Sequence, residues 1–446
     1  MLVERKIIER PVAVRLLKAL AKVHGGGVPR PIEDVHMALE QEINNMVGAE
    51  TGGFLHIAKS RNDQVAAAIR MQLRKEAIEL MKNLIHLQES ILSVAKKHTQ
   101  TLVPGYTHLR PAQPITFAHY LISHFDALER SMQRMDQNYK RVNLSPMGSA
   151  ALATTSYSID RSRVSGLLGF DSILENSLDA IGSRDFALET LFHLAILSTD
   201  LSRIIEDLII WSSSEFDLID LPDEYSSTSS IMPQKKNPDV LEVMRARISH
   251  VIGNSIASTL ILKGLPSGYN LDFQEITPKI WESIDSVNIS LKILSRLIER
   301  IVAKDSTVKL AKEFTTSTEL ANMLVRQHGV PFRAAHRIVG RLVRHLIERG
   351  DTLQDLEVEE VNRAAKELNI SLSLSSRDLT SATNVMEVVG LHSRIGGPAP
   401  SEVRRAMTKR IALLKDWALK VSEHEKRLKE GERSLEIAVR SLCSRG

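Results

Sequence analysis

The stretch Ser229-Ser230-Ile231-Met232-Pro233-Gln234-Lys235-Lys236-Asn237-Pro238-Asp239 decides how the rest of the chain is read. It sets a serine pair, two lysines and an asparagine in a segment stiffened by Pro233 and Pro238. Pro238 suits the first turn of a helix, where a missing N–H costs nothing. The residues that follow, Val240, Leu241, Val243, Met244 and Ile248, recur with helical spacing. The lysines and Asn237 therefore stand just ahead of a helix N-terminus, whose free amides and dipole favour anions. Such a loop can hold a carboxylate and lower the pKa of a serine hydroxyl. The plain alternative is a polar surface loop.

Working outward, the same pattern of polar motif followed by long helix repeats. Ser60-Arg61-Asn62-Asp63-Gln64 precedes an apolar series, Ile69, Leu73, Ala77, Leu80, Leu84, Leu87, Ile91 and Val94, that marks a long amphipathic helix. Residues 54–103 contain neither glycine nor proline, so Pro104 is the expected stop. Pro104-Gly105-Tyr106-Thr107-His108-Leu109-Arg110-Pro111-Ala112-Gln113-Pro114 then reads as a proline-stiffened loop holding a Thr-His pair, a reasonable place for a general acid or base. Further helices are expected over 115–143, 186–211 and 239–262, and from Pro278 to about Ala303. Ahead of these, Val12–Val23 reads as a helix stopped by Gly25-Gly26-Gly27, and Asp34 as a cap for the next one. From Lys304 onward the helices shorten, with breaks at Gly329, Pro331 and Gly350. Five long helices with almost no strand alternation predict an all-α protein built on a helix bundle.

Composition narrows the function. Hydrophobic content of 43% with aromatics at only 4% implies an aliphatic core, as packed helices require. The 58 basic residues are interleaved with 54 acidic ones, which argues against nucleic acid and for a basic site that takes a small anionic substrate. The lone Cys443 excludes an internal disulfide and a thiolate metal site, and points to a reducing, cytoplasmic setting. No apolar run is long enough to span a membrane: Leu191–Trp211 is interrupted by Asp200, Arg203, Glu206 and Asp207.

The serine/lysine stretch resembles the signature of the fumarase/aspartase superfamily, and its Gln-Lys-Lys-Asn-Pro-Asp wording is similar to the argininosuccinate lyase branch. Ser60–Gln64, the Thr107-His108 motif, Asn176–Ala180 with Ser183-Arg184-Asp185, Tyr269–Glu275 and Arg394–Pro400 resemble that branch in the same order. The resemblance implies an elongated central five-helix bundle (59–311) between smaller helical N- and C-terminal domains (1–58 and 312–446). It implies reversible elimination of fumarate from argininosuccinate to leave arginine, without a cofactor or metal. Carried over by motif, the catalytic set is Ser229 as base, His108 as acid, Glu242 as the orienting partner of His108, and Lys235. Arg61, Asn62, Thr107, Asn237, Tyr269 and Gln274 are the substrate-binding candidates, and His36 is a further residue that can line the site. The resemblance also implies a homotetramer with sites shared between chains. Two alternatives stay open: a sister lyase for another succinyl substrate, and a silent crystallin-like relative. The chain departs from the branch at Ile57-Ala58-Lys59 (family Thr-Gly-Arg), Thr228 (family glycine) and Thr277 (lysine in some relatives). About thirty residues precede Asp34, where the family has a longer segment with a substrate-touching serine. The expectation is a late start or a site completed in another way.

Overall fold

The computed structural model describes residues 1–26 and 34–444. Near the start, α1 (Arg10–Gly26) and α2 (Val35–Val47) pack through Leu16, Ala19, Val23 and Ile43. Asp34 caps α2, its side chain accepting from the Met37 amide at 2.8 Å. Gly27, the last residue of the expected glycine stop, lies outside the described residues.

The long helix predicted after Ser60 is α3 (Arg61–Lys97). A reciprocal cap starts it: the Ser60 hydroxyl serves the first-turn backbone, and the Asp63 carboxylate accepts from the Ser60 amide at 3.0 Å. The helix stops at His98, before the proline expected to end it, with Lys96 and Lys97 in its last turn, where the helix dipole favours cations. The segment read as a loop is an antiparallel hairpin, β1 (Leu102–Thr107) and β2 (Arg110–Thr116). Its three prolines fix extended backbone and withhold the N–H groups a helix needs.

Then come α4 (Phe117–Val142) and α5 (Asp185–Trp211). After them a small antiparallel pair, β3 (Ser227–Thr228) with β4 (Lys236–Asn237), leads into α6 (Asp239–Leu262) and α7 (Phe273–Arg300). Pro278 lies inside α7 instead of starting it. The bond it removes would run to the carbonyl of Gln274, an exposed residue that water can serve.

Helix α3 packs on α4, α4 on α5, α5 on α6, α6 on α7, and α7 returns to α3. This ring closes on one aliphatic core that includes Leu84, Leu87, Ile91, Phe125, Leu201 and Leu291, all fully buried. At 1.5 Å per residue the 37-residue α3 is about 55 Å long. Connections alternate between the two ends of the bundle. Residues 98–116 and 212–238 close one end, and residues 143–184 and 263–272 close the other, beside the start of α3.

A smaller helical cluster follows, built on α8 (Ser317–His328) and α9 (Phe332–Arg349). Its breaks fall at Gly329 and Gly350, whose φ of 63° and 78° glycine adopts without strain. The chain then forms α10 (Pro400–Ser444), a 45-residue helix that lies along α3. Its Val403, Met407, Leu414, Val421 and Leu428 enter the bundle core.

Ion pairs tie α10 down. Asp136 on α4 is 1% exposed and accepts from Lys420 Nζ at 2.7 Å and His424 Nε2 at 3.2 Å. Burial pushes its carboxyl up, but the His424 and Lys420 hydrogen bonds outweigh burial and hold it below the usual carboxylate range. A depressed folded pKa means that this latch stabilises above the unfolded carboxyl value, about 3.9. That contribution is lost as pH falls through the lower folded value. Urea unfolding from pH 7 to pH 3 should therefore show a stability drop below about pH 4 that is smaller in Asp136→Asn. Lys420→Met should cost about 2 kcal/mol at pH 7.

Candidate active site

The structure sorts the sequence-predicted residues into two groups, one at each end of the bundle. At the end where α3 begins, Arg61 pairs with the Asp34 carboxylate, so its guanidinium is anchored across two helices. The Met37 amide, and then Arg61, hold the Asp34 carboxyl low. Burial lowers the pKa of His36, which sits in the fields of Asp34, Arg61 and Lys59 and so belongs to this group. Asn62 Nδ2 donates to the Ala151 carbonyl at 2.9 Å. Beside it, Asp63 is fully buried and accepts from the amides of Gly148 (3.1 Å) and Ala150 (2.9 Å). Asp63 thus fixes the small-residue loop against the start of α3, a role the sequence reading missed. The signal was its spacing, three residues after the capping Ser60.

From that loop, contacts lead on to the Tyr269 segment. Ser177 Oγ donates to the Leu152 carbonyl at 2.8 Å, and a Cβ on Gly182 would meet the Gly268 backbone at 3.1–3.2 Å. Tyr269 and Gln274 follow, joined by a 3.4 Å hydrogen bond from Gln274 Nε2 to the tyrosine hydroxyl.

The opposite end holds the other group. Thr107 closes the hairpin against Arg110, leaving His108 and Leu109 as its two-residue turn. Their φ values of 55° and 57° define a type I′ geometry, which normally takes Asn-Gly. A histidine and a leucine there are strained, and such strain concentrates at functional sites. His108 is exposed and makes no hydrogen bond among the described residues.

The serine loop stands at the same end, closed by the pairs Ser227↔Asn237 and Thr228↔Lys236. Two backbone amides, of Ile231 and Met232, point at Ser229 Oγ from 3.4 and 3.3 Å. Lys236 is taken up by Asp223 at 2.8 Å and Asp220 at 3.3 Å, and the Asp223 hydrogen bond raises its pKa. Lys235 is exposed and has no such partner among the described residues, so it is the lysine free to meet a ligand. Asn237 stands one residue ahead of Pro238, which leads into α6; the first turn of α6 carries Glu242 and receives no side-chain cap, leaving amides open to an anion.

The long-helix bundle is a fold that solved lyase structures share. The chain matches the Lyase family over residues 30–253 and the argininosuccinate lyase C-terminal family over residues 314–389. The fold is similar to a structure of EDDS lyase in complex with formate (TM-score 0.92, 28% identity, covering 100% of this chain and 89% of that one). A class II fumarase from Schistosoma mansoni shares the fold at TM-score 0.67 and 16% identity, over 80% of this chain and 79% of that one. Among curated proteins, the argininosuccinate lyase of Methanococcus aeolicus is 42% identical over 100% of this chain and 90% of its own length. That of Methanocaldococcus jannaschii is 41% identical over 96% and 88%. The chain therefore belongs to the argininosuccinate lyase family.

The hairpin strain can be measured directly. Leu109→Gly should raise unfolding stability by about 1 kcal/mol, because glycine takes positive φ at no steric cost and the leucine is exposed. Leu109→Val should lower it, and denaturant unfolding of both variants distinguishes strain from a relaxed turn.

Proposed function

We propose that this chain eliminates fumarate from L-argininosuccinate, reversibly, to give L-arginine. The observation that carries this reading is the serine loop, set in a chain that matches relatives named argininosuccinate lyase along its whole length. A serine hydroxyl is too weak a base unless its anion is stabilised. Two backbone amides on Ser229 Oγ, a free lysine and an uncapped helix start supply that stabilisation.

In the reaction Ser229 takes the proton from the carbon next to a succinyl carboxylate. Negative charge moves onto that carboxylate, where Lys235, Asn237 and the amides of α6 meet it. The carbon–nitrogen bond then breaks, and the electron pair leaves on the guanidino nitrogen, which takes a proton from His108. Within one chain no hydrogen bond joins Glu242 to His108 among the described residues, so the Glu242 that orients His108 comes from a second chain, and Arg61, Asn62, Thr107, Tyr269 and Gln274 bind substrate. No step in this route calls on a cofactor.

The two residue groups lie on the order of 50 Å apart along the bundle, the length of α3. One chain therefore cannot gather them, and the reading includes a homotetramer whose sites each draw on several chains. An apolar face supports it: Phe192 and Ile196 on α5 and Ile252, Ile256 and Leu260 on the adjoining α6 are 40–63% exposed. Faces of this kind mark protein interfaces. Among the described residues no helix is long and apolar enough to cross a membrane, and we place the enzyme in the cytoplasm.

The test is absorbance at the fumarate band when the protein meets argininosuccinate. Wild type should release fumarate, and Ser229→Ala should lose essentially all of the rate. His108→Asn should keep its stability, since asparagine tolerates positive φ, while turnover falls about 10²-fold or more. A folded wild type that releases nothing would sink the reading.

A further inference from the structure

Arg184 sits just before α5 and is only 4% exposed. Its guanidinium is poorly served for so buried a cation. Nη1 donates to the carbonyls of Ile181 (3.2 Å) and Ser183 (2.7 Å), whereas Nε and Nη2 have no hydrogen-bond partner among the described residues. No carboxylate pairs with it among those residues. Burial pulls its pKa down to about 10, so it remains charged at neutral pH. An apolar side chain would fill this space at lower cost, because a buried charge without a counter-ion is unfavourable. The position therefore asks for an explanation other than packing.

The explanation lies in what the cation faces. Its guanidinium carbon stands 4.4 Å from the centroid of the Phe273 ring, in cation–π range. Phe273 meets Tyr269 edge to face at 5.7 Å and 88°, and Tyr269 accepts the hydrogen bond from Gln274. The same loop presses Gly182 onto the backbone of Gly268, which has a φ of 95°. One loop thus grips the 268–274 segment twice, through a backbone contact and through a stacked cation. Because Nε and Nη2 are sealed from solvent, the guanidinium itself does not touch a ligand.

We propose that Arg184 is a positioning residue for substrate binding: its cation, stacked on Phe273, holds Tyr269 and Gln274 in the orientation that receives the substrate. This rests on the lyase reading, in which Tyr269 and Gln274 contact argininosuccinate. Arg184→Met keeps the bulk and removes the charge, Arg184→Lys keeps the charge over the ring, and Phe273→Leu keeps apolar bulk but removes the ring. Steady-state fumarate release should show KM raised about tenfold in Arg184→Met and in Phe273→Leu, with kcat within about twofold of wild type. Arg184→Lys should restore KM to within about threefold.

Amide hydrogen exchange of residues 265–274 supplies a readout independent of turnover. It should speed up in Arg184→Met and Phe273→Leu and stay near wild type in Arg184→Lys. An Arg184→Met protein with unchanged KM and unchanged exchange would overturn the proposal, as would equal KM losses in the Lys and Met variants. If Arg184→Met does not fold, the comparison of Arg184→Lys with Phe273→Leu decides: unchanged KM and exchange in Phe273→Leu overturn the relay. A wild type that releases no fumarate, while exchange responds as described, would instead overturn the lyase reading and leave the positioning role standing.

Discussion

The constraint on which the rest of this structure depends is the length of the closed helix ring. Leu84, Leu87 and Ile91 of α3 are sealed in a core shared by all five long helices, and removing one such side chain costs about 2–5 kcal/mol. A core packed this tightly does not bend to bring its ends together. The α10 helix stiffens it further by running along α3 and pinning itself through Asp136. Motifs at opposite ends are held apart, and the chemistry proposed for them has to be assembled between chains. The exposed apolar residues on α5 and α6 fit that requirement, because they lie on the long sides of the bundle and leave its ends free.

At the ends, backbone geometry prepares the polar groups. The serine loop is pinched off by two short strands, which turns the Ile231 and Met232 amides onto Ser229. The two adjacent lysines differ in availability because Asp220 and Asp223 capture one of them. His108 occupies a turn position that costs conformational energy, and that cost is consistent with a residue retained for what it does. Asp63 and Arg184 play the corresponding part at the far end. Each is buried, and each organises a loop next to the residues proposed to bind substrate.

Periodicity made most of the fold legible. The helix expected from Asp239 to Leu262 has those bounds, and the start of α3 was announced by its serine cap. The failures have physical causes. Pro104 marks a helix end by sequence, but α3 stops six residues earlier and the prolines build a hairpin. Pro278 by sequence suits a helix start, yet a second-turn position tolerates it where the orphaned carbonyl is solvated. The shortening of helices expected from Lys304 onward fails at α10, which runs for 45 residues and returns to the bundle, because its polar, charge-rich sequence hides a narrow apolar stripe. For the site, motif wording named the residues but said nothing of Lys236's carboxylates, of Asp63's backbone donors, or of Arg184 over Phe273. Those depend on neighbours distant in sequence. Ala58 is an instructive case: it adopts a positive φ, 60°, a conformation glycine takes without strain, at a position where the resemblance leads to an expected glycine.

The measurement that tests the account most directly is subunit mixing. Asn62→Ala disables one end of the chain and Ser229→Ala the other, and each variant alone should be inactive. When the two are dissociated together and reassociated, fumarate release should return, because some sites then draw Asn62 from one chain and Ser229 from another. Mixed assemblies, verified by native mass spectrometry, that stay as inactive as their parents would contradict the claim that the bundle's two ends meet only between chains.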